Sequence, residues 1–285
     1  MEADILFKDK NLLKEISWFI EERNNIWKRK IIGEKPPYTK NPILSTYRFC
    51  NIFREFDRQT IEFHELLNPI RNNFPLWLLN MFYCRMVART TTVTSVGLLS
   101  FDQKENIKLY EGLMASPRPR FGTPYVFPIS VIQKSNTPTR EKFISQHLPT
   151  VIKLIAKEIA TWKHKSVYDG VEIILPLFKY NLRFLWTEVL IDISYQFPQY
   201  INLFGRFPIG PGSAPTMRRI NPAKDPTLLV KDLSLLPINT DLTFNRKQLR
   251  LSAENWEGIG CEYRKYTNLK AGRGRRRIYK PTNLK

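Results

Sequence analysis

The segment "TYRFCNIFREFDRQTIEF", residues 46–63, brings an acidic side chain close to several arginines. Its apolar residues recur at helical spacing, which predicts a helix from Ser45 to about Leu67. On that helix Asp57 falls at the edge of the apolar face, with Arg54 and Arg58 within reach. A carboxylate in such a place is partly desolvated and partly charge-compensated, which suits a general base or an electrostatic stabiliser. A structural Arg–Asp pair is the alternative.

A second acidic pair lies in "FLWTEVLIDISY", residues 184–195. Glu188 and Asp192 are four residues apart and therefore share one face of a predicted apolar helix. Two carboxyl groups so close resist ionising together, which separates their pKa values and suits acid–base chemistry. Helix capping, or pairing with Arg183 and neighbouring basic residues, is the structural alternative.

A glycine-containing turn opens "FPIGPGSAPTMRRI", residues 207–220. The backbone N–H groups at Gly210 and Gly212, followed by Arg218 and Arg219, predict a phosphate-binding turn. An ordinary surface turn has the same composition. The nucleotide-binding pattern GxxxxGK[ST] does not occur in the chain, which argues against a P-loop kinase.

Tyrosines alternate with basic residues in "GCEYRKYTNLKAGRGRRRIYKP", residues 260–281. This alternation suits stacking on bases together with contacts to phosphates, whereas a solvated basic tail is the alternative. The candidate DNA-binding residues are Tyr263, Lys265, Tyr266, Arg273, Arg275, Arg276, Arg277 and Tyr279.

The overall composition favours a polyanionic partner. The 285 residues are 42% apolar and 13% aromatic, enough for a substantial core, and carry a formal charge of +19. Nucleic acid is the first candidate partner and a membrane surface the second. The chain lacks a long apolar run and a signal-peptide pattern, so we expect a soluble, intracellular protein. Three scattered cysteines without a CxxC pair and three histidines predict neither a metal site nor a cofactor.

Helical periodicity dominates the rest of the chain and predicts one mainly α-helical domain with a possible short β segment. We expect an N-terminal helical extension over residues 1–40 and the main helical domain, with its basic C-terminal segment, over 41–285. The further predicted elements are helices over 9–30, from Pro75, over 140–164, after Pro176 and over 225–236, and a short strand over 125–133.

Four stretches in a fixed order resemble one protein family. They are "TYRFCNIFREFDR", "FLWTEVLIDISY", "IGPGSAPTMRRI" and "CEYRKYTNLKAGRGRRRIY", and the resemblance spans roughly residues 40–280. The family is the alpha-glutamyl/putrescinyl thymine pyrophosphorylases, also described as DNA base hypermodification proteins or the helical domain of hydroxymethyluracil DNA kinases.

The resemblance implies an all-helical fold similar to helix-hairpin-helix DNA glycosylases and action on a modified pyrimidine in DNA. Some members resemble transferases that displace a phosphorylated leaving group from hydroxymethylated uracil with an amino acid. Others resemble glycosylases that remove glucosylated hydroxymethylcytosine. The chain departs from the family pattern in two places: no GxG precedes "FLWTEVL", and Ser213, Ala214 and Pro215 follow GPG where basic and glycine residues are usual.

Both branches must extrude the target nucleotide from the duplex, and both develop positive charge on carbon, which a fixed carboxylate stabilises. Asp57 is the first choice for this carboxylate, Asp192 the second, and Glu188 a third candidate. The predicted substrate- and phosphate-binding residues are Arg48, Asn51, Arg54, Arg58, Gly210, Gly212, Arg218 and Arg219.

The expected function is amino-acid or amine transfer onto phosphorylated or pyrophosphorylated 5-hydroxymethyluracil, with excision of a hypermodified base second and a non-catalytic DNA-binding module third. The expected partners are double-stranded DNA with modified pyrimidines and a free amino acid, in the cytoplasm of a bacterial cell or a phage-infected host. The resemblance also implies that the head of the basic segment, Cys261 to Tyr266, packs on the helical core. Cys261 then becomes a buried anchor and Glu262 a partner for the arginines near Asp57.

Overall fold

A computed structural model of the chain describes residues 3–123, 127–238, 240–244, 247–274 and 277–280. Helices dominate these residues and the paired strands among them are two residues long, so the mainly α class is confirmed. None of the helices in the described part is long and apolar enough to cross a membrane.

In chain order the described α-helices are α1 (Ala3–Leu6), α2 (Lys10–Ile31), α3 (Pro42–Thr46), α4 (Arg58–Leu67), α5 (Phe74–Val87), α6 (Thr90–Val96), α7 (Glu105–Ala115), α8 (Ile129–Ser135), α9 (Arg140–Lys142), α10 (Leu148–Ile159), α11 (Val167–Phe178), α12 (Arg183–Gln196), α13 (Ala214–Ile220), α14 (Pro226–Leu233) and α15 (Ala253–Lys270). Short 3₁₀ turns cover Arg54–Phe56 and Asn68–Ile70, and a π-helical turn covers Phe143–His147. Strand β1 (Lys165–Ser166) pairs in parallel with β2 (Ile201–Asn202), and β3 (Thr243–Phe244) pairs antiparallel with β4 (Lys247–Gln248).

The chain forms two compact units. The first contains Met1–Asp57 and Leu203–Lys285, and the second contains Arg58–Asn202. The first unit is therefore built from both ends of the chain. The predicted boundary after residue 40 stays a prediction.

Helix α15 forms the core of the first unit. Ser252 and Asn255 close a reciprocal capping box at its start, which satisfies backbone N–H groups that a helix leaves unpaired. Trp256 and Tyr263 are almost completely buried, and the Tyr263 ring lies 5.7 Å from the Phe19 ring of α2. Burial of side chains of this size contributes about 1.5–3 kcal/mol each, so aromatic packing holds α15 against α2.

Helix α2 confirms the helix predicted over residues 9–30. Asp9 accepts hydrogen bonds from the backbone N–H groups of Asn11 and Leu12 and so caps the helix. Ile16 and Phe19 have no exposed surface, as the helical spacing of the apolar residues requires.

Helices α5 and α12 form the core of the second unit, with α10 and α11 packed beside them. The Phe82 ring of α5 lies 4.5 Å from the Trp186 ring of α12, and Phe178 packs edge-on against Trp186 at 5.2 Å. Helix α5 begins at Phe74, which confirms the buried helix predicted from Pro75.

The single helix predicted after Pro176 is wrong, because the segment contains the two helices α11 and α12. Pro176 lies within α11 rather than at a helix start. The chain leaves the helical path at Lys179, whose φ of 66° is left-handed and whose N–H donates back to the Leu175 carbonyl at 2.9 Å. Lys179 takes the C-terminal capping conformation that glycine usually supplies.

The strand predicted over residues 125–133 is wrong for its described part. Residues 124–126 lie outside the described residues, and helix α8 begins at Ile129. Pro128 occupies the position before the helix, where its lack of an N–H costs nothing. The proline therefore introduces a helix here rather than an extended strand.

The continuous helix predicted from Ser45 to Leu67 is also wrong. Helix α3 ends at Thr46, residues 47–53 are not helical, a 3₁₀ turn covers Arg54–Phe56, and α4 begins at Arg58. The apolar spacing is real, but distant parts of the first unit hydrogen-bond to the backbone of residues 46–52 and replace the helical bonds.

Candidate functional site

Residues 47–53, which we call the extended segment, are held by side chains of α15. The Cys50 N–H donates to Glu262 at 3.0 Å, and Asn255 donates to the Ile52 carbonyl at 3.2 Å. Lys265 donates to the Arg48 carbonyl and also lies 4.6 Å from the centre of the Phe49 ring. These bonds satisfy backbone groups that a helix would have paired internally.

The C-terminal residues continue this pairing. Tyr47 and Ile278 form an antiparallel bridge. The Arg48 N–H donates to the Arg277 carbonyl at 2.9 Å, and the Tyr279 N–H donates to the Thr46 carbonyl at 2.8 Å. The described end of the basic segment is therefore an ordered edge beside the extended segment, and its sequence alone carries no signal for this pairing.

Asn51 and Asp57, both predicted site residues, are in direct contact. Asn51 Nδ2 donates to Asp57 Oδ1 at 2.8 Å and to the Phe56 carbonyl at 3.2 Å. Because a carboxylate and a carbonyl can only accept, these partners fix the orientation of the amide. Both N–H groups of Asn51 are engaged, so its amide oxygen is the group left to accept a hydrogen bond.

A cavity of about 290 Å³ lies in the first unit between α2, the loop after it and the extended segment. Asn51 forms part of its wall, together with the cations Arg23 and Lys30. Its aromatic lining consists of Trp27, Tyr38, Tyr47, Phe49 and Tyr279. The volume is close to the lower limit of the roughly 300–1,000 Å³ typical of small-molecule sites, which suits a small ligand.

Arg23 is a buried cation in the cavity wall, with 7% of its surface exposed. Its Nη2 donates to the Cys50 carbonyl at 2.9 Å and to the Phe49 carbonyl at 3.4 Å. The buried Nε has no hydrogen-bond partner among the described residues. Burial lowers the pKa of the Arg23 guanidinium, and Glu262 opposes that effect. A buried donor without a partner is costly, so Arg23 is held in this wall at some cost in stability.

Lys30 lies about two helical turns after Arg23 on α2 and also lines the cavity. Its pKa is lowered, first by burial and then by the positive charges of Arg23 and Arg48. The charges of Arg23 and Arg48 therefore both act on Lys30, an arrangement that a bound anion would stabilise.

The other predicted carboxylates, Glu188 and Asp192, lie in the second unit. Asp192 is completely buried and accepts two hydrogen bonds of 2.6 Å from Arg85, while His64 Nε2 lies 3.0 Å from its Oδ1. Burial alone would raise the pKa of Asp192, but the Arg85 charge and these hydrogen bonds hold it well below its usual range. Glu188 is also buried, and the predicted partner Arg183 binds Glu172 instead. The surroundings of Asp192 favour a structural role.

The predicted phosphate-binding turn packs against α15. The Gly210 N–H donates to Glu257 at 3.2 Å, and Arg264 donates to the Pro211 carbonyl at 2.7 Å. A Cβ atom on Gly212 would lie 2.6 Å from the Cys261 sulfur, so glycine is required by close packing. The Gly210 N–H therefore already binds a carboxylate, which argues against a phosphate there.

Arg218 and Arg219 are exposed on α13. Arg54 is half-buried in the 3₁₀ turn. Arg58 is exposed in the second unit and pairs with Glu62 at 2.6 Å. The structure thus brings Asn51, Asp57 and Tyr279 to one region and leaves these arginines outside the cavity lining.

The tyrosines at the head of the basic segment are not a base-stacking surface. Tyr263 is 1% exposed and its hydroxyl donates to Glu15, while Tyr266 is 8% exposed and accepts from Asn41. Lys265 is engaged by the extended segment. Burial argues against the predicted stacking of bases on Tyr263 and Tyr266, whereas the DNA-binding role of the half-buried Lys265 stays a prediction. The expected packing of the head on the core is confirmed.

The structure differs from two further expectations about the head of the basic segment. Cys261 is half-buried beside Gly212 rather than buried. Glu262 binds the Cys50 N–H and Lys265, and the arginine on which its charge acts is Arg23.

The glycine-spaced arginines are only partly described. Arg273 and Arg277 are exposed. Arg275 and Arg276 lie outside the described residues. The exposed positions remain candidates for contacts with phosphates.

Sequence reasoning missed the cavity residues of α2. Arg23, Trp27 and Lys30 are spaced four and three residues apart, which places them on one helical face. This stripe of cation, aromatic and cation is detectable in the sequence. The prediction of an N-terminal extension over residues 1–40 places this stripe outside the main domain.

Comparisons with known proteins include α2 in the matched region, as the first unit does. The family model described as "5-hmdU DNA kinase, helical domain" matches residues 10–275. The chain belongs to this family. The family that the four sequence stretches predicted is therefore confirmed, and the match begins thirty residues earlier than expected, 40 against 10.

A similar curated protein is the 5-hmdU DNA kinase of Bacillus phage SP10, which is 35% identical over 83 residues. The aligned part is 27% of this chain and 13% of the phage protein, so the chain spans a small part of that relative. No solved structure matches the chain. The described residues contain no group of three or more His, Cys, Asp or Glu side chains placed to hold a metal ion.

Proposed function

We propose that this chain modifies a 5-substituted uracil in double-stranded DNA and that the cavity of the first unit receives the extruded base. The observation that carries the proposal is an aromatic-walled cavity whose lining includes Asn51, an amide that Asp57 and the Phe56 carbonyl orient. The family supports the choice of base, because its name and that of the phage relative refer to 5-hmdU.

The cavity has the properties that an extruded pyrimidine needs. Enzymes that act on a base edge unstack the nucleotide and hold it between aromatic side chains. Trp27 and Tyr38 line this cavity, and the Trp27 ring is itself stacked on Phe56 at 4.1 Å, which fixes its plane. A preorganised ring loses little entropy when a base stacks on it.

The oriented amide favours uracil over cytosine. Uracil carries a hydrogen at N3, whereas cytosine N3 can only accept. Asn51 directs both N–H groups at Phe56 and Asp57, so its oxygen is available to accept from N3–H. Asp57 thus positions Asn51, and its negative charge lies one side chain away from the cavity lining.

The proposed reaction is substitution at the exocyclic carbon of phosphorylated or pyrophosphorylated 5-hydroxymethyluracil. The nitrogen of an amino acid or amine forms a bond to this carbon, the carbon–oxygen bond breaks, and the leaving phosphate or pyrophosphate takes the electron pair. The proton released by the amine passes to solvent. A kinase acting on 5-hmdU would supply the phosphorylated base, which links this reaction to the relative's name.

Asp57 is the proposed carboxylate that stabilises positive charge on the exocyclic carbon as the leaving group departs. The contact with Asn51 holds it in one place, as electrostatic stabilisation requires. The second proposed element is charge: the net +19 and the exposed Arg273 and Arg277 favour DNA along the basic segment.

The test is incubation of the chain with duplexes that contain one 5-hydroxymethyluracil, its phosphorylated or pyrophosphorylated form, or glucosylated hydroxymethylcytosine. A mixture of amino acids and diamines is added, and the nucleosides are analysed by mass spectrometry. We expect an amino-acid or amine adduct from a phosphorylated base. Asp57→Asn should lower the rate about 10²-fold or more, by the size of effect seen for single stabilising groups. Glu21→Gln, an exposed acid of α2, is the matched control.

Other products identify the alternatives. Abasic sites without an adduct would show that the chain is a glycosylase and not a transferase. Unchanged DNA from every substrate, with retained DNA binding, would favour a non-catalytic module. A wild-type rate of adduct formation in Asp57→Asn would show that Asp57 is not the stabilising carboxylate.

A further inference from the structure

The cationic end of the cavity has no assigned ligand. Arg23 and Lys30 line it, and Arg48 lies close enough for its charge to act on Lys30. Among the described residues of the lining there is no Asp or Glu. The carboxylates whose charge acts on Arg23 are Glu262 and Asp57, and neither is a lining residue. The cavity itself therefore presents positive charge to whatever fills it.

Arg23 still has a donor to offer. A guanidinium carries five N–H groups, and Nη2 alone makes the two bonds to the carbonyls of the extended segment. Its Nε is buried without a partner among the described residues, so the donors left for a ligand are the two N–H groups of Nη1. A planar donor set of this kind is suited to the oxygens of a phosphate.

The position of Arg23 relative to Asn51 matches the geometry of a 5-substituted uracil. Arg23 binds the carbonyl of Cys50, the residue before Asn51, so the guanidinium and the amide are neighbours in the wall. In uracil, N3 and C5 are both bonded to C4, so the N3–H group and the 5-substituent are close together on the ring edge. A base with N3–H on Asn51 therefore directs its 5-substituent to a neighbouring part of the wall.

We infer that Arg23 and Lys30 form an anion subsite that binds the phosphate on the 5-methylene group of the uracil. This inference rests on the proposed function. The subsite selects the phosphorylated base over 5-hydroxymethyluracil itself and holds the phosphate as it leaves. It differs from the predicted phosphate-binding residues Arg54, Arg58, Arg218 and Arg219, which lie outside the lining.

The experiment measures binding of the full chain to three duplexes that differ at one base: 5-phosphomethyluracil, 5-hydroxymethyluracil and thymine. Competition by fluorescence anisotropy gives their relative affinities. We expect a preference of roughly tenfold or more for the phosphorylated duplex, the size expected of one charge-assisted contact. Lys30→Gln should remove most of this preference. Lys28→Gln makes the same charge change on α2 outside the lining and should retain it.

Arg23 is tested by Arg23→Lys rather than Arg23→Gln. Lysine keeps the positive charge and can still donate to the carbonyls of the extended segment, on which the fold depends. Arg23→Lys should keep part of the preference if its circular dichroism is native. Equal weakening of all three duplexes by Lys30→Gln would show that the cation contacts a backbone phosphate and would overturn the inference.

The two proposals fail differently. If wild type forms the adduct but does not prefer the phosphorylated duplex, the subsite is wrong and the function stands. If the three duplexes bind alike and no DNA is modified, the proposed function fails with it.

Discussion

Arg85 donates hydrogen bonds of 2.6 Å to both carboxylate oxygens of Asp192 inside the second unit. Arg85 also donates to Thr60 of α4 at 3.1 Å. One ion pair therefore connects α5 with α12 and α4. Because both side chains are at most 3% exposed, either charge would be costly without the other.

Asp192→Asn should destabilise the protein by about 3–5 kcal/mol, because it leaves the Arg85 charge buried without a counter-charge. Urea unfolding at pH 7 measures the loss. Glu172→Gln is the control: it breaks the exposed pair with Arg183 and should cost less than about 1 kcal/mol. Equal losses in the two variants would contradict a special role for the buried pair.

The same pair predicts a pH dependence. Burial alone would raise the folded-state pKa of Asp192, but Arg85 and His64 outweigh this effect and lower it. Its stabilisation is complete above the unfolded value of about 3.9 and is lost as pH falls toward the folded value. The stability difference between wild type and Asp192→Asn should therefore narrow below about pH 4. A difference that stays constant from pH 7 to pH 3 would contradict the depressed pKa.

Periodicity predicted the regular helices because their stability comes from one buried face. Helix α2 and helix α5 appear where apolar spacing placed them. The same pattern failed between Thr46 and Phe53, where Glu262 and Asn255, more than two hundred residues away, bind the backbone. Patterns in a single sequence show the local preference for a helix, but they do not show distant hydrogen-bond partners. Such tertiary bonds override the local preference.

The candidate site was predictable in part for the same reason. The sequence predicts Asn51 and Asp57 as site residues on one helix, but no continuous helix joins them. Their contact arises instead from the 3₁₀ turn that separates them. Tyr279 was assigned to a DNA-contacting tail, and only its backbone pairing with Thr46 brings it to the cavity.

Tyr263→Phe tests the correction to the basic segment. Loss of the hydroxyl that donates to Glu15 should destabilise the protein by about 1–3 kcal/mol. DNA affinity should not change, because the ring is buried. Thermal unfolding and DNA titration on the same sample measure both. Weaker binding at unchanged stability would restore Tyr263 as a stacking residue.

Arg277→Gln should have the opposite effect. The side chain is exposed while its carbonyl pairs with Arg48, so the substitution keeps the backbone contact. If Arg277 contacts a phosphate, the slope of log affinity against log salt should fall by about 0.9, with little change in stability. Lys108→Gln, an exposed cation of α7, is the matched control. Identical slopes for the two variants would exclude a specific phosphate contact at Arg277.

Two glycines of α15 make a matched pair. A Cβ on Gly258 meets nothing within 4 Å, whereas a Cβ on Gly260 would overlap the Ser213 hydroxyl and the Met217 methyl carbon. Gly258→Ala should stabilise the protein by about 0.5–1 kcal/mol, because alanine restricts the unfolded chain and favours the helix. Gly260→Ala should destabilise it by about 1–3 kcal/mol through overpacking against α13. Urea midpoints with unchanged m-values would establish both signs, and stabilisation by both variants would mean that α13 does not pack closely on α15.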